Sequence, residues 1–317
     1  MDRTTGSRAP TVDTPAAAVN SDRKAPATLA TTLVNLLPPA TVVAVVLAWM
    51  FLPRELTESP WSILVAGLAT SFLLLGLEQL FERHEGWRLN RTEFATDLFY
   101  VILMYSVIGW AVEAFADAPL TALKETLGIS TPWVTALPFV VQVAMVVFLV
   151  EFGQYWMHRA MHNYRPLWLT HAPHHHITQL NAMKGFVGNP IELFLISLSV
   201  LALFDFDIVA LFCGLTVLGV VSGYAHANIR SDPPLFYSYV FTTIRHHSLH
   251  HTALSYKDTR CNYGNSLILL DRVFGTYREG ESSIVGQDDR RRLTIREQFL
   301  FPFQPMIDKF RSAAADR

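Results

Sequence analysis

Histidine is the residue type on which the chemistry of this chain is predicted to depend. Eleven of the twelve histidines in the 317-residue sequence fall between His158 and His251. His158 and His162 are four residues apart, a spacing that places both rings on one face of a helix. Two imidazoles so placed can bind one metal ion or line a cavity that holds two.

Two further clusters repeat the pattern H-x-x-H-H. The first contains His171, His174 and His175, and the second contains His247, His250 and His251. His226 lies between them, after an apolar run. A zinc site closes with about four ligands, so this many imidazoles exceed the needs of one ion. Two metal ions with four or five ligands each are the economical interpretation, and the pattern leaves the element open among iron, zinc, copper and nickel.

The composition indicates that a membrane positions these histidines. The chain is 51% apolar and 16% charged, against roughly a quarter charged in an average soluble domain. The net charge of -2 gives no basic excess for binding nucleic acid. The two cysteines are far apart in the sequence, which argues against a disulfide framework or a cysteine-bound metal cluster.

Four apolar segments precede the histidines and are predicted to cross the bilayer, the third only with its flanks. They are residues 25–53, 59–77, 98–112 and 126–150. Residues 193–225 are also apolar except for Asp205 and Asp207. Because carboxylates are costly at mid-membrane, a hairpin of two short helices with these residues at the far interface is favoured over one long tilted helix.

The basic residues then predict the orientation. If the spans alternate, 23 of the 25 lysines and arginines share the side of the histidines, and only Arg54 and Lys124 lie opposite. The positive-inside rule places the histidine side and both termini in the cytosol, of a bacterial inner membrane or the endoplasmic reticulum. The predicted fold is an all-α integral membrane protein, a transmembrane helix bundle with a cytosolic helical cap that carries the histidine motifs.

Four regions are expected along the chain. Residues 1–24 are a disordered tail, and residues 25–145 form the N-terminal transmembrane helices. Residues 146–280 form the catalytic region, and residues 281–317 are a C-terminal cytosolic segment.

The ordered motifs resemble those of the fatty acid hydroxylase/sterol desaturase superfamily, whose members are integral-membrane di-iron oxygenases. The signature of that superfamily is H-x(3,4)-H followed by two H-x-x-H-H motifs, and all eight histidines are present here in that order. Asn262-Tyr263-Gly264 and the sequence D-x-x-F-G-T at residues 271–276 are also similar to the superfamily's closing motifs. The resemblance covers roughly residues 145–280.

This resemblance implies two irons that activate O2 to attack an unactivated C–H bond of a lipid, by hydroxylation or desaturation. It also implies that His226 is a ninth ligand. His246 is a candidate tenth, and the doublet that it forms with His247 is more similar to alkylglycerol monooxygenases and their bacterial relatives. His176 is either a further metal ligand or a residue that supports the ligands. Fatty-acid 2-hydroxylases carry a histidine where this chain has Arg230, which argues against that branch.

Electrons are expected from outside the chain, because no haem-binding, flavin-binding or iron–sulfur motif is visible in the sequence. A separate donor protein, linked to an NAD(P)H-dependent reductase, is the predicted partner. Four polar residues are candidate supports for the ligands: Glu151, Asn181, Asn262 and Asp271. Asp271 either accepts a hydrogen bond from a ligand's far ring nitrogen or caps a helix and pairs with Arg272.

The alternative function is a membrane protein that binds or transports metal ions. Transporters usually place ionisable ligands at mid-membrane on broken helices, whereas these histidines follow the ends of the predicted spans. That placement favours the enzyme.

Overall fold

The computed structural model describes residues 28–253, 259–287 and 291–315. In these ranges the regular structure is helical, and β pairing is confined to two isolated bridges, Glu82 with Ile229 and Thr252 with Val285. The all-α prediction is therefore confirmed. The expected disordered tail, residues 1–24, lies outside the described residues.

The helices labelled here are, in chain order, α1 (Leu29–Phe51), α2 (Trp61–Leu80), α3 (Arg91–Thr126), α4 (Phe139–Asn163), α5 (Arg165–His175), α6 (Pro190–Ile196), α7 (Ile208–His226), α8 (Leu235–Ser238), α9 (Ile244–His250), α10 (Ile268–Val273), α11 (Ile295–Leu300) and α12 (Gln304–Ala315). Single helical turns occur at Arg54–Thr57, Glu85–Trp87, Pro132–Thr135, Lys184–Phe186, Leu201–Leu203 and Phe301–Phe303. Helix α3 contains two π-helical segments, Met104–Ile108 and Glu113–Asp117.

Five of these helices are long and apolar enough to cross a membrane, namely α1, α2, α3, α4 and α7. Helix α7 is the central one, because it packs against α1, α2 and α4. Many large apolar side chains on the other spans point outward, among them Trp61, Phe72 and Trp110. Outward apolar side chains are what a lipid-facing surface requires.

The fourth span begins later in the chain than the sequence predicted. Residues 126–150 were expected to cross the membrane, whereas α4 runs from Phe139 to Asn163. Pro132 begins a separate helical turn, and Pro138 precedes α4 in an extended conformation that ends the intervening loop. The span consequently carries His158 and His162 in its own last turns.

The apolar region from residue 193 to 225 is a hairpin with unequal arms. The first arm is the short helix α6 and a helical turn, and the second is the full span α7 rather than a short helix. Asp205 and Asp207 form the turn between the arms, as predicted. Asp205 forms an ion pair with Lys124, and Asp207 forms one with Arg54. The two basic residues assigned to the far side thus meet at the end of α7 opposite His226.

Candidate metal centre

Nine buried histidines form two adjacent groups at one end of the helix bundle. The first group contains His158, His162, His171, His175 and His250, and the second contains His174, His226, His247 and His251. Within each group, one nitrogen per ring lies within 4.8 Å of the corresponding nitrogen of every other member. These residues come from the last turns of α4, α5 and α7 and from α9 with the residue after it.

His171 lies at the centre of the five-histidine group. Its Nε2 is 3.0 Å from Nε2 of His158, 3.1 Å from Nε2 of His162 and 3.1 Å from Nε2 of His175. His250 completes the group, with its ring centroid 4.6 Å from that of His158. The four ring nitrogens around His171 Nε2 therefore converge on one small volume.

The four-histidine group lies directly beside the first. His247 Nε2 is 2.8 Å from Nε2 of His226 and 3.1 Å from Nε2 of His251. The ring of His251 stacks on that of His175, a member of the other group, with centroids 4.4 Å apart. The two groups are therefore in direct contact through these rings, and ions bound in them would be neighbours.

Main-chain carbonyl groups fix the orientation of four of the rings. The Nδ1 atoms of His158, His174, His226 and His250 lie 2.7, 2.7, 2.8 and 2.7 Å from the carbonyl oxygens of Tyr263, Val187, Ser222 and Cys261. A carbonyl oxygen can only accept, so each of these Nδ1 atoms carries the hydrogen. In the neutral ring, Nε2 is then left with a lone pair directed into the group.

A carboxylate orients His171 in the same way. Its Nδ1 lies 2.6 Å from Oε1 of Glu192. Burial raises the pKa of the Glu192 carboxyl to about 8, and its ionised form holds the hydrogen on Nδ1. Burial lowers the pKa of His171 to about 3, so this imidazole is neutral near pH 7. Histidine ligands of metals almost always donate their other ring nitrogen to a carboxylate or carbonyl.

These contacts test whether metal ions fit the groups. With the hydrogen on Nδ1 of both rings, the Nε2 lone pairs of His158 and His171 face each other at 3.0 Å, an arrangement that a cation between them would stabilise. Among the described residues, the buried Nε2 of His250 has no hydrogen-bond partner. Nitrogens bound at about 2.1 Å and at right angles to one another are about 3.0 Å apart, against about 3.4 Å around a tetrahedral ion. The donor set fits a metal ion in each group.

The structure places two of the candidate histidines outside both groups. His246 lies at the start of α9, where its Nδ1 accepts from the main-chain N–H of Thr243 at 3.4 Å, and it completes a capping box. His176 points its Nδ1 at the carbonyl oxygen of Ala172, 2.8 Å away, and packs against Phe301. Neither ring nitrogen belongs to the two convergent sets.

The four polar residues expected to support the ligands act on the main chain rather than on imidazoles. The Asp271 carboxylate accepts from the N–H groups of Tyr263 and Gly264, at 2.7 and 2.8 Å, and so positions the Tyr263 carbonyl that receives His158. Asp271 therefore reaches a candidate ligand only through that carbonyl. Asn262, in the left-handed region at φ 52°, donates to the carbonyl oxygens of His246 and Arg278.

Glu151 and Asn181 hold two other segments in place. The Glu151 carboxylate accepts from the N–H of Leu267 at 3.0 Å. The Asn181 amide donates to Asp97 at 2.9 Å and accepts from the N–H of Met183.

Three features of the centre were not predicted from the sequence. Glu192 was not among the predicted supports, although the spacing of Asn189 and Glu192 is the sequence signal of the capping box that the two residues form. The carbonyl groups that orient the rings carry no sequence signal, because every residue has one. Trp168, half-buried, packs against His162 with ring centroids 5.2 Å apart.

Comparison with known proteins finds a family match over the region that contains both histidine groups. Residues 143–276 match the model of the fatty acid hydroxylase family. The chain is 26% identical over 223 residues to an ornithine lipid hydroxylase of Rhizobium tropici, which covers 67% of this chain and 66% of that protein. It is 31% identical over 155 residues to a Delta(7)-sterol-C5(6)-desaturase of Nicotiana tabacum, which covers 45% of this chain and 52% of that protein.

The chain is also 28% identical over 140 residues to the alkylglycerol monooxygenase of Homo sapiens, which covers 43% of this chain and 30% of that protein. The chain thus spans 66% or less of the length of each of these relatives. No solved structure matches the chain.

Proposed function

Because residues 143–276 match the model of the fatty acid hydroxylase family, we propose that this protein is an O2-dependent, non-haem di-iron oxygenase that hydroxylates or desaturates a membrane lipid. The relatives are named as an ornithine lipid hydroxylase, a sterol desaturase and an alkylglycerol monooxygenase. A fatty acyl, ether-lipid or sterol-like substrate follows from those names. The region from residue 146 to 280 is then the catalytic unit.

The observation that carries this proposal is the convergence of buried imidazole nitrogens in two adjacent groups, with Nε2 of His158 3.0 Å from Nε2 of His171. A cation in the first group would satisfy these nitrogens, and the neighbouring four-histidine group offers a candidate second site. Five nitrogens are available in one group and four in the other. Imidazole donors suit iron and zinc alike, and the proposal of iron follows from the family match over residues 143–276.

The protein's own residues would hold the ions and keep water away. Bound iron would supply the oxidising power that an unactivated C–H bond requires. All nine imidazoles are buried, and those outside the spans have a pKa lowered by burial, as at His174 and His175. Neutral rings keep their lone pairs for metal near pH 7. Glu192 and the carbonyl groups prevent the rings from turning away.

The overall reaction needs two electrons and two protons per turnover. Hydroxylation converts R–H, O2, two electrons and two protons into R–OH and water, while desaturation removes two hydrogens from the lipid and forms two waters. A separate donor protein, reduced by an NAD(P)H-linked reductase, is proposed to deliver the electrons from the cytosol. The basic residues favour a cytosolic position for the histidine end, because the alternation of spans predicted from the sequence assigns 23 of the 25 to that side.

The proposal is tested by oxidation under 18O2 of lipids extracted from the cells of origin. Purified protein in nanodiscs is reduced with dithionite and a mediator, exposed to 18O2 and examined by lipid mass spectrometry. A lipid that gains one 18O atom identifies hydroxylation, and a lipid that loses two hydrogens identifies desaturation. We expect His171→Ala to abolish the product and His176→Ala, a control outside both groups, to retain it.

Two results would contradict the proposal. One is an iron-loaded protein that forms no O2-dependent product from any extracted lipid. The other is a flux of metal ions across reconstituted vesicles without consumption of O2, which would support the transport alternative.

A further inference from the structure

Two cavities meet beside the four-histidine group. The larger, of about 820 Å³, lies among α3, α4, α6 and α7. The smaller, of about 130 Å³, lies between α2 and α7 and is lined by the imidazole of His226. Five residues line both cavities, so the two spaces are contiguous there. They are Gly185, Phe186, Leu215, Gly219 and Ser222.

The larger cavity follows helix α7 for much of its length. Leu211 and Ser222 both line it, and eleven residues of helix correspond to about 16 Å. At one end it reaches Gln154, which is one turn before His158 on α4. At the other end it reaches Asp205 in the turn at the far end of the bundle. The space therefore connects the metal-centre end of the bundle with the opposite end.

Helix α7 keeps this space open with a glycine. A Cβ atom added to Gly219 would meet no atom within 4 Å, whereas one added to Gly214 would lie 2.6 Å from Val146. Gly214 serves close packing of α7 on α4, the usual use of small residues between membrane helices. Gly219 packs against nothing in the described structure, so its small size leaves room where the two cavities join.

The charges around the larger cavity are acidic and lie at its far end. Glu113, Asp117 and Asp205 line it, and among its described lining residues there is no lysine or arginine. Asp205 is paired with Lys124, whereas Glu113 and Asp117 are one helical turn apart and repel each other. An anionic group would be disfavoured beside them, and an amine would offset their charge.

We propose that the joined cavities are the binding site for a lipid with a long apolar chain and an amine-bearing polar end. The polar end lies at Glu113 and Asp117, and the chain follows α7 past Gly219 to His226. This inference rests on the proposed function and extends it to the class of substrate. It also implies that the oxidised carbon belongs to the chain, remote from the amine.

The site is tested with a photoaffinity probe, hexadecylamine carrying a diazirine at the end of its chain. Protein in nanodiscs is irradiated with the probe, and labelled peptides are identified by mass spectrometry. Labelling is expected on the second half of α7, between Leu215 and His226. Gly219→Phe should reduce this labelling at least about tenfold, because the ring would fill the junction of the cavities.

Gly76→Phe is the matched control for bulk on a membrane helix. Gly76 lies on α2, lines neither cavity and also has no atom within 4 Å of an added Cβ. Labelling should persist in this variant. Retained iron in Gly219→Phe shows that the variant is folded, and Gly219→Leu provides a milder block for the same measurement.

The polar end is tested with the same probe in carboxylate form, hexadecanoic acid with a terminal diazirine. The amine probe is expected to label at least about fivefold more strongly, and Glu113→Gln with Asp117→Asn should remove this preference. Equal labelling by both probes in the wild type, or labelling unaffected by Gly219→Phe, would overturn the inference. Labelling requires neither O2 nor reductant, so a protein that oxidises lipid without being labelled on α7 contradicts this site alone. Labelling without oxidation contradicts the proposed function alone.

Discussion

The chemistry of this protein at the scale of single residues is the orientation of imidazole rings. A histidine has two nitrogens, and either can carry the hydrogen in the neutral ring. At His158, His174 and His250 the Nδ1–H donates a hydrogen bond to a main-chain carbonyl oxygen. At His171 the Nδ1 atom lies against the Glu192 carboxyl group. The rings are thus prepared for a metal before it binds, which lowers the reorganisation needed on binding.

Glu192→Gln is expected to weaken iron binding by about 10- to 100-fold, the usual cost of losing such a partner. The amide retains an oxygen acceptor but, unlike the carboxyl group, has no ionised form that favours hydrogen on Nδ1 of His171. The measurement is the apparent iron dissociation constant from chelator competition at pH 7.

The matched control is Glu281→Gln, the same change at a carboxylate bound to a histidine outside both groups. Glu281 Oε1 lies 2.8 Å from Nε2 of His84. Iron binding in this variant should equal that of the wild type. Equal iron affinity in Glu192→Gln and the wild type would show that the carboxylate does not tune the site.

Residue types and spacing predicted which histidines converge, because imidazoles at helix-compatible intervals share one face of a helix. They did not predict Glu192, since its role depends on the turn that brings α6 against α5. His246 adjoins His247 in the sequence, yet consecutive residues on a helix point in different directions. That geometry sends His246 to the helix cap instead of the metal centre.

At the scale of elements, the segment between Asn181 and Glu192 connects the metal centre to the membrane helices. Its Val187 carbonyl orients His174, and its last residue orients His171. Lys184 anchors the segment, because its buried ammonium contacts Asp97 at 2.7 Å and also binds Glu93 on α3. A buried charge that loses its partner is strongly destabilising.

Asp97→Ala should therefore lower the free energy of unfolding by about 3 kcal/mol and reduce the bound iron. The change leaves Lys184 with one carboxylate and removes the partner of Asn181. Denaturation by SDS in mixed micelles measures the first effect, and elemental analysis measures the second. Glu58→Ala, at an exposed pair with Arg54, should leave both unchanged; a similar loss in the two variants would contradict this role for Asp97.

Gly264→Ala should also disturb the centre, at the segment between α9 and α10. An added Cβ would lie 2.5 Å from the carbonyl oxygen of Leu267, and the resulting shift would displace the neighbouring Tyr263 carbonyl. We expect a destabilisation of about 1–3 kcal/mol with loss of iron, measured as above. Gly86→Ala meets no atom within 4 Å and should be neutral; an undisturbed Gly264→Ala protein would refute the steric argument.

Apolar length predicted the membrane helices well, because a bilayer imposes one requirement on every span. It misplaced the start of the fourth span, where the apolar run from residue 126 includes a loop with Pro132 and Pro138. Hydrophobicity alone does not distinguish an apolar loop at an interface from a helix. The full length of α7 was missed because the aspartates were taken to divide the run into two short helices.

At the scale of the whole molecule, ion pairs join distant parts of the chain at both ends. Glu281, beyond the last span, binds Arg83 at 2.6 Å and His84 at 2.8 Å in the loop after α2. Burial acts to raise the pKa of the Glu281 carboxyl, but hydrogen bonds and charge from Arg83 and His84 hold it well below its usual range.

This depressed pKa predicts a loss of stability in acid. The contribution of Glu281 is fully present above the pKa of an unfolded glutamate, about 4.3. It is lost as the pH falls below that value towards the lower pKa of the folded state. As the pH is lowered from 4.5, the midpoint of thermal unfolding of the wild type should approach that of Glu281→Gln. A constant difference between the two proteins across this range would contradict the prediction.

The central claim, two iron ions held by the two histidine groups, is tested most directly by counting metal in protein reconstituted with 57Fe. Elemental analysis and Mössbauer spectroscopy should find two irons per chain with nitrogen ligands. His171→Ala combined with His247→Ala, one change in each group, should remove both. A single ion per chain, or iron that persists in the double variant, would contradict the account.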